Sequence, residues 1–222
     1  MSEVIITVRG EHEARVSPER ATAHLSVRCD GPARGPVIEK IAALTAPLRE
    51  ELDARRADGD VTEWSSQRAA VWSERPWNAE GRQLTPVYHA SVDLQATFAD
   101  FAALSWWVSA ASEREGVQIG GITWELTPET RRAVEADAAA QAVREALARA
   151  TAYAAAIDRG SVTPLEIADQ GLLLTRGDRP ERAEPRALRA MATSADGGGP
   201  SVQFEPQPIV VTASVEGRFS AR

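Results

Sequence analysis

A strand that runs directly into one long alanine-rich helix, over residues 120–160, constrains the fold of this chain most strongly. Residues 122–127 alternate apolar and polar side chains, so one face of that strand is predicted to be buried. Thr127, Pro128 and Glu129 then favour the start of a helix, predicted over 129–158. Its small and apolar residues recur at spacings of three and four: Ala133, Ala136, Ala140, Val143, Leu147, Ala150, Ala154 and Ile157. Such a stripe permits close approach to a neighbouring element and carries no chemistry.

The other elements are predicted from the same two patterns, alternation of apolar and polar residues for strands and apolar spacings of three and four for helices. Strands are expected over 3–16, 20–30, 61–75, 84–98, 162–174 and 209–219, and helices over 37–52 and 101–116. Gly10 suggests a bulge or a bend in the first strand, and Pro47 suggests a kink or a break in the first helix. Residues 20–127 follow the order strand-helix-strand-strand-helix-strand, which is typical of a split βαβ unit.

The predicted fold class is therefore α+β, with an antiparallel or mixed sheet on a β-α-β-β-α-β core. The first strand, the alanine-rich helix and the last two strands are expected to extend this sheet or to cover it. A chain of 222 residues suits one elaborate domain or two small ones, and we predict a single domain over 1–222.

Composition excludes several classes of function. The net charge of −7 argues against a nucleic-acid surface, which needs a basic face. Cys29 is the only cysteine, so no internal disulfide is possible, and its place in the alternation of the second strand predicts a small buried hydrophobe. No export signal and no membrane-spanning apolar run is visible, which predicts a cytoplasmic protein.

Two segments are distinguished from the compact body. The hairpin 61–98 has strands longer than usual, and near its far end are the interface candidates Trp72, Trp77 and Tyr88. It is expected either to project as an arm that pairs with other subunits or to bend back on its own core. The segment 175–208 reads as a mobile, solvated connection.

A search for chemistry finds no catalytic residue. None of the three histidines has a partner at a metal-binding spacing, and phosphate-binding loops and nucleophile elbows are absent. His24, His89 and Asp93 fall on polar strand faces, and a suitable register would bring them together as an acid/base or metal cluster. Of Trp106 and Trp107, one ring is expected in the core and the other towards the rim.

Several segments, taken in order along the chain, resemble the SIMPL-domain family. They are the opening strand 6–10, the Pro-acid-x-Ala turn within 16–21, the Tyr-x-Ala strand 87–94, the strand 122–126 with the helix through 152–154, and the last strand 208–215. Pro206-Gln207-Pro208 stands where the family usually has a glycine. The resemblance implies an α+β fold, assembly into large oligomers and links to stress tolerance. It implies no catalytic residues, and many bacterial relatives are exported.

Taken together, the sequence predicts a non-enzymatic, self-associating cytoplasmic protein that acts as a scaffold or a partner-binding module without a cofactor. Homo-oligomer contacts are expected through the hairpin 61–98, the helix 129–158, or both. One alternative is a small-molecule or metal-binding protein, or an enzyme, that uses the His24, His89 and Asp93 face together with Arg68. Another is a regulator that recruits acidic or phosphorylated partners through the arginine-rich segment 175–208.

Overall fold

The computed structural model describes residues 3–173 and 204–222, which contain three helices and seven strands in two compact units. The elements are β1 (Val4–Val16), β2 (Arg20–Gly31), α1 (Arg34–Asp58), β3 (Val61–Glu74), β4 (Val87–Phe98), α2 (Phe101–Ser112), β5 (Val117–Glu125), α3 (Pro128–Ala156), β6 (Val162–Asp169) and β7 (Ile209–Ala221). The predicted α+β class is confirmed. We call the unit of β2, α1, β3, β4, α2 and β5 the two-helix unit, and that of β1, α3, β6 and β7 the one-helix unit.

The two-helix unit is built on a four-stranded antiparallel sheet in the order β3-β4-β2-β5. Helices α1 and α2 contribute to the same core as this sheet. The face of β2 predicted to be buried is buried, and it comprises Ala21, Ala23, Leu25, Val27 and Cys29. Because successive strand residues point to opposite faces, the residues between these lie on the other, polar face of the sheet.

Helix α1 is continuous from Arg34 to Asp58, so the alternative of a break at Pro47 is wrong. Val37, Ile41, Leu48 and Leu52 are buried on both sides of the proline. They belong to the core that the helix shares with β2, β3 and β4. This burial holds both halves of the helix on one sheet, which offsets the backbone hydrogen bond that proline removes.

The predicted hairpin 61–98 is present as β3 and β4, with strand ends at Glu74 and Val87. β3 pairs with β4 along its length, and β2 pairs with β4 from Tyr88 to Phe98 on the other side. Both strands are thus integral to the sheet, and only the connection 75–86 lies beyond the paired strands.

The one-helix unit has a separate three-stranded antiparallel sheet in the order β1-β7-β6, covered on one face by α3. The expectation that these strands extend the sheet of the other unit is therefore wrong. β1 and β7 pair in unbroken register from Val4 opposite Ala221 to Val16 opposite Ile209. Two strands almost 200 residues apart in sequence thus become neighbours.

Gly10 does not form the expected bulge, since the register of β1 is unbroken. Its role is steric. A Cβ atom at this position would collide with the backbone oxygen of Ala142 and lie 2.6 Å from the backbone nitrogen of Ala146. Helix α3 therefore passes so close over β1 that only a glycine fits beneath it.

The buried stripe of α3 differs from the predicted one. The buried residues are Ala138, Ala142, Ala146, Ala150 and Ala154, at a strict spacing of four. Leu147 and Ile157 are exposed, as are Ala133, Ala136 and Ala140. The predicted stripe is therefore correct at Ala150 and Ala154 and, in part, at Val143, which is half-buried against the same core. The close approach at Gly10 explains this choice, because larger side chains on that face would hold the helix away from the strand.

Residues 175–203 of the predicted mobile connection 175–208 lie outside the described residues. Residues 204–208 form neither helix nor strand, and the ring of Phe204 lies 6.2 Å from that of Trp124. Among the described residues, no helix combines the length and the apolar character that a membrane crossing requires.

Candidate functional site

The end of the β3–β4 hairpin, residues 72–88, displays two large aromatic side chains. We call it the hairpin end. Trp72 is 45% exposed and lies opposite His89, with the two rings stacked at 5.3 Å and 20° between their planes. Nε2 of His89 lies 3.5 Å from Oε1 of Glu74. One face of the Trp72 ring is therefore supported by the protein itself while much of the side chain remains in solvent.

The connection 75–86 has a defined backbone. Trp77 forms an isolated β-bridge with Gln83. Inside that bridge, the side chain of Asn78 accepts a hydrogen bond of 2.7 Å from the backbone nitrogen of Arg82, and Gly81 takes a φ of 73°. These bonds hold Trp77 with 66% of its surface exposed. The hairpin end thus presents its tryptophans on an ordered support.

Tyr88, the third interface candidate, lies on the opposite sheet face from Trp72. Its neighbour His89 stacks on Trp72, and successive residues of a strand point to opposite faces. Tyr88 is partly buried and packs against the hydrophobic core. The structure therefore groups Trp72 with Trp77 at the hairpin end and assigns Tyr88 to the core side.

The polar residues His24, His89 and Asp93 share one sheet face but do not form one cluster. His24 lies opposite Gln95, which is six residues from His89 on β4, so about 20 Å separates the two histidines along the strands. Nε2 of His24 is hydrogen-bonded to Oγ1 of Thr123 at 2.8 Å. Among the described residues, no group of histidine, cysteine and acidic side chains has a metal-binding arrangement.

Two of these three residues, His24 and Asp93, line an open depression of about 580 Å³ on the polar sheet face. Ser26, Arg28, Arg68 and Gln118 are also among its lining residues. We call this depression the polar trough. Arg68 and Ser26 lie directly opposite Asp93 on its two sides, and Gln118 lies opposite Ser26. Four strands therefore contribute one row of hydrogen-bonding side chains to its floor.

Trp106 is an exposed aromatic residue that the sequence search did not assign to a surface. It is 62% exposed, whereas its neighbour Trp107 is fully buried. The division of this pair into one core ring and one outer ring was predicted. The helical spacing of Leu104, Val108 and Ala111, which are all buried, was the signal that could have identified Trp106 as the outer ring.

Cys29 is buried as expected, and its Sγ atom contacts the carbonyl oxygen of Val37 at 3.5 Å. Burial raises the pKa of the Cys29 thiol above its ordinary value, and the nearby ammonium of Lys40 opposes this only in part. At neutral pH the side chain is a thiol, which is a poor nucleophile.

We therefore expect Cys29 to react with a disulfide reagent such as DTNB roughly a hundredfold more slowly in the folded protein than in denaturant. Because its pKa is raised, the rate in the folded protein should continue to climb with pH beyond the range in which an ordinary thiol levels off. The release of the coloured thiolate, followed over a pH series, measures both effects. Rapid stoichiometric reaction of the folded chain at neutral pH would contradict this assignment.

The fold defines the class of this protein as α+β with two antiparallel sheets. The sequence model of the SIMPL family, described as a protein of unknown function (DUF541), matches residues 6–219. The chain belongs to this family, as its motifs suggested. No curated protein matches it.

Proposed function

We propose that this chain is a non-enzymatic protein that self-associates and serves as a scaffold or partner-binding module. The observation that carries the proposal is the exposure of Trp72 and Trp77 on the ordered hairpin end. Tryptophan is among the residues most enriched at the energetic centres of interfaces, because its large ring buries much apolar area at little entropic cost.

The partner proposed here is a second copy of the chain. β3, which carries Trp72, is the outermost strand of its sheet, so one of its backbone edges is without a strand partner among the described residues. A second copy approaching this edge would cover both tryptophans and the strand together. Such a contact would combine burial of the aromatic rings with hydrogen bonding of the unpaired strand edge.

The alanine stripe of α3, the other surface expected to mediate assembly, supports the proposal less. Its buried alanines pack against β1 and β7 of the same unit, and are therefore already in use within the chain. The exposed residues Tyr153 and Ile157 remain on the helix as a smaller apolar surface.

Light scattering on a sizing column, over a dilution series, tests the proposal. The wild type should show a fixed multiple of 23.9 kDa at micromolar concentration. Trp72→Ser and Trp77→Ser should each raise the dissociation constant about tenfold to a hundredfold, as expected for a residue at the centre of an interface.

Trp106→Ser is the matched control, because it removes from α2 a tryptophan that is about as exposed as Trp77 and more exposed than Trp72. It should leave the mass unchanged. A wild-type protein that is a monomer at every concentration would contradict self-association. Dissociation by Trp106→Ser, with both hairpin variants intact, would contradict the assigned surface.

A further inference from the structure

The polar trough contains charged and polar groups that lack partners among the described residues. Arg28, Arg68 and Asp93 take part in no side-chain hydrogen bond or ion pair there, although Arg68 and Asp93 are opposite each other on adjacent strands. The hydroxyl oxygen of Ser26, on the other side of Asp93, is buried without a hydrogen-bond partner.

The register brings these groups within reach of one small molecule. Adjacent strands are about 4.8 Å apart, so the backbone positions of Arg68 and Ser26 flank that of Asp93 at this distance. Arg28 lies two residues beyond Ser26 on the same face of β2, about 7 Å along the strand. Asp93 therefore has one arginine directly opposite it on β3, and a second on β2 in the diagonal position, since Arg28 lies opposite Ser91.

This arrangement offers a ligand both positive and negative charge. A guanidinium group binds a carboxylate through two parallel hydrogen bonds, and two of them are available. The carboxylate of Asp93 accepts hydrogen bonds from an ammonium or a hydroxyl group and repels a second anion. No Trp, Tyr or Phe side chain lines the trough, and its one ring, the imidazole of His24, is hydrogen-bonded to Thr123, so the trough has no large aromatic platform on which a base or a sugar ring would stack.

We propose that the polar trough binds a small carboxylic acid that carries an amino or a hydroxyl group beside its carboxylate. The arginines would hold the carboxylate, and Asp93 would hold the adjacent amine or hydroxyl. The trough volume of about 580 Å³ lies within the range of small-molecule sites. Its lining has two fixed positive charges against one negative charge, in a chain whose net charge is −7, and so attracts an anion locally.

The competing interpretation is that Arg68 and Asp93 form an ordinary solvated ion pair and the face binds nothing. Isothermal titration calorimetry at low ionic strength with succinate, L-malate and L-aspartate distinguishes the two. The three acids share one carbon skeleton, and the last two add a hydroxyl and an ammonium group respectively. We expect L-malate or L-aspartate to bind at least about tenfold more tightly than succinate, as one charge-assisted hydrogen bond predicts.

If L-malate binds more tightly than L-aspartate, Asp93 accepts a hydrogen bond from a hydroxyl group. If L-aspartate binds more tightly, Asp93 accepts it from an ammonium group. Equal affinity of all three acids would overturn the proposal, as would the lack of saturable binding up to about 10 mM, which is weaker than one bidentate pair predicts. Neither outcome depends on self-association, which the mass measurement tests separately.

Three substitutions test the assigned roles. Asp93→Asn should weaken L-aspartate binding about tenfold and leave succinate unchanged or tighter, because the repelling charge is removed. Arg28→Gln and Arg68→Gln should each weaken every acid that binds about tenfold to a hundredfold. Arg15→Gln, which changes an arginine with a highly exposed side chain on β1, is the control and should leave affinity unchanged.

Circular dichroism of each variant checks that the fold is retained, and all four positions lie on strand surfaces, so retention is expected. If both trough-arginine variants bind the acids as the wild type does, the trough is not the binding site and the proposal is wrong.

Discussion

Gly10→Ala is expected to lower the free energy of unfolding of the one-helix unit by about 2–3 kcal/mol or more. The added Cβ would meet backbone atoms of Ala142 and Ala146, so no side-chain rotation relieves the collision. Either α3 moves away from β1 or the strand bends. Both responses open the core that Ile6, Val8 and the helix alanines form. This core contains few large side chains, so its neighbours cannot fill the gap that results.

Urea denaturation with two signals measures this effect. All six tryptophans lie in the two-helix unit, so their fluorescence reports that unit alone, whereas circular dichroism also reports α3. The dichroism transition of Gly10→Ala should shift to lower urea concentration. Where the two units unfold separately, the fluorescence transition should stay in place.

Gly35→Ala is the matched control for this substitution. Gly35 lies in α1, and apart from its chain neighbours and the backbone of its own helix no atom lies within 4 Å of the position that its Cβ would occupy. Alanine restricts the unfolded chain more than glycine does, but the ring of Pro36 crowds a Cβ on the residue before it, so we expect a change in stability of no more than about 1 kcal/mol in either direction. Equal behaviour of the two alanine variants would contradict the close packing of α3 on β1.

Trp107→Ala is expected to cost about 3–5 kcal/mol in the two-helix unit, the usual range for truncating a buried aromatic residue. Trp107 is fully buried, and its ring centroid lies 5.3 Å from that of Phe98, which is also fully buried. The alanine variant would leave a cavity between α2 and the sheet. Thermal unfolding followed by circular dichroism measures the loss without relying on the deleted fluorophore.

Trp106→Ala provides the control at the adjacent position. Its side chain is mostly in solvent, so its removal should change stability by no more than about 0.5 kcal/mol. Trp107→Phe should cost less than Trp107→Ala, because it keeps most of the ring and removes an indole nitrogen that is buried without a partner. Similar losses for both neighbouring alanine variants would show that the helix face is assigned incorrectly.

The order and type of the elements were predictable because they depend on local periodicity. The alternation Ala21, Ala23, Leu25, Val27 and Cys29 marks one strand face, and that face is buried. Such patterns specify which side of an element is apolar when the two sides differ clearly. Strand ends were less predictable. β4 begins at Val87 and not at Leu84, because Leu84 bonds to Pro76 within the hairpin connection.

The individual residues of the candidate sites were predictable from the sequence, but their neighbours in space were not. Exposed Trp72 and Trp77 were found from their position near a turn, whereas the separation of His24 from His89 follows from a register that no local pattern encodes. The unpartnered Ser26 hydroxyl and the position of Arg28 diagonal to Asp93 also depend on that register. A shift of the strands by two residues would keep every face and change every neighbour.

The sequence by itself determined the α+β class, the family and the length of α3. Only the tertiary structure decided which face of α3 is buried, since alanine occurs on every side of this helix and leaves its amphipathic period weak. Tertiary structure also decided that β1 and β7 form a sheet with β6 and do not extend the other sheet. The physical reason is the same in both cases: contacts between distant segments, such as Gly10 beneath Ala142, select among arrangements that local preferences leave nearly equal in energy.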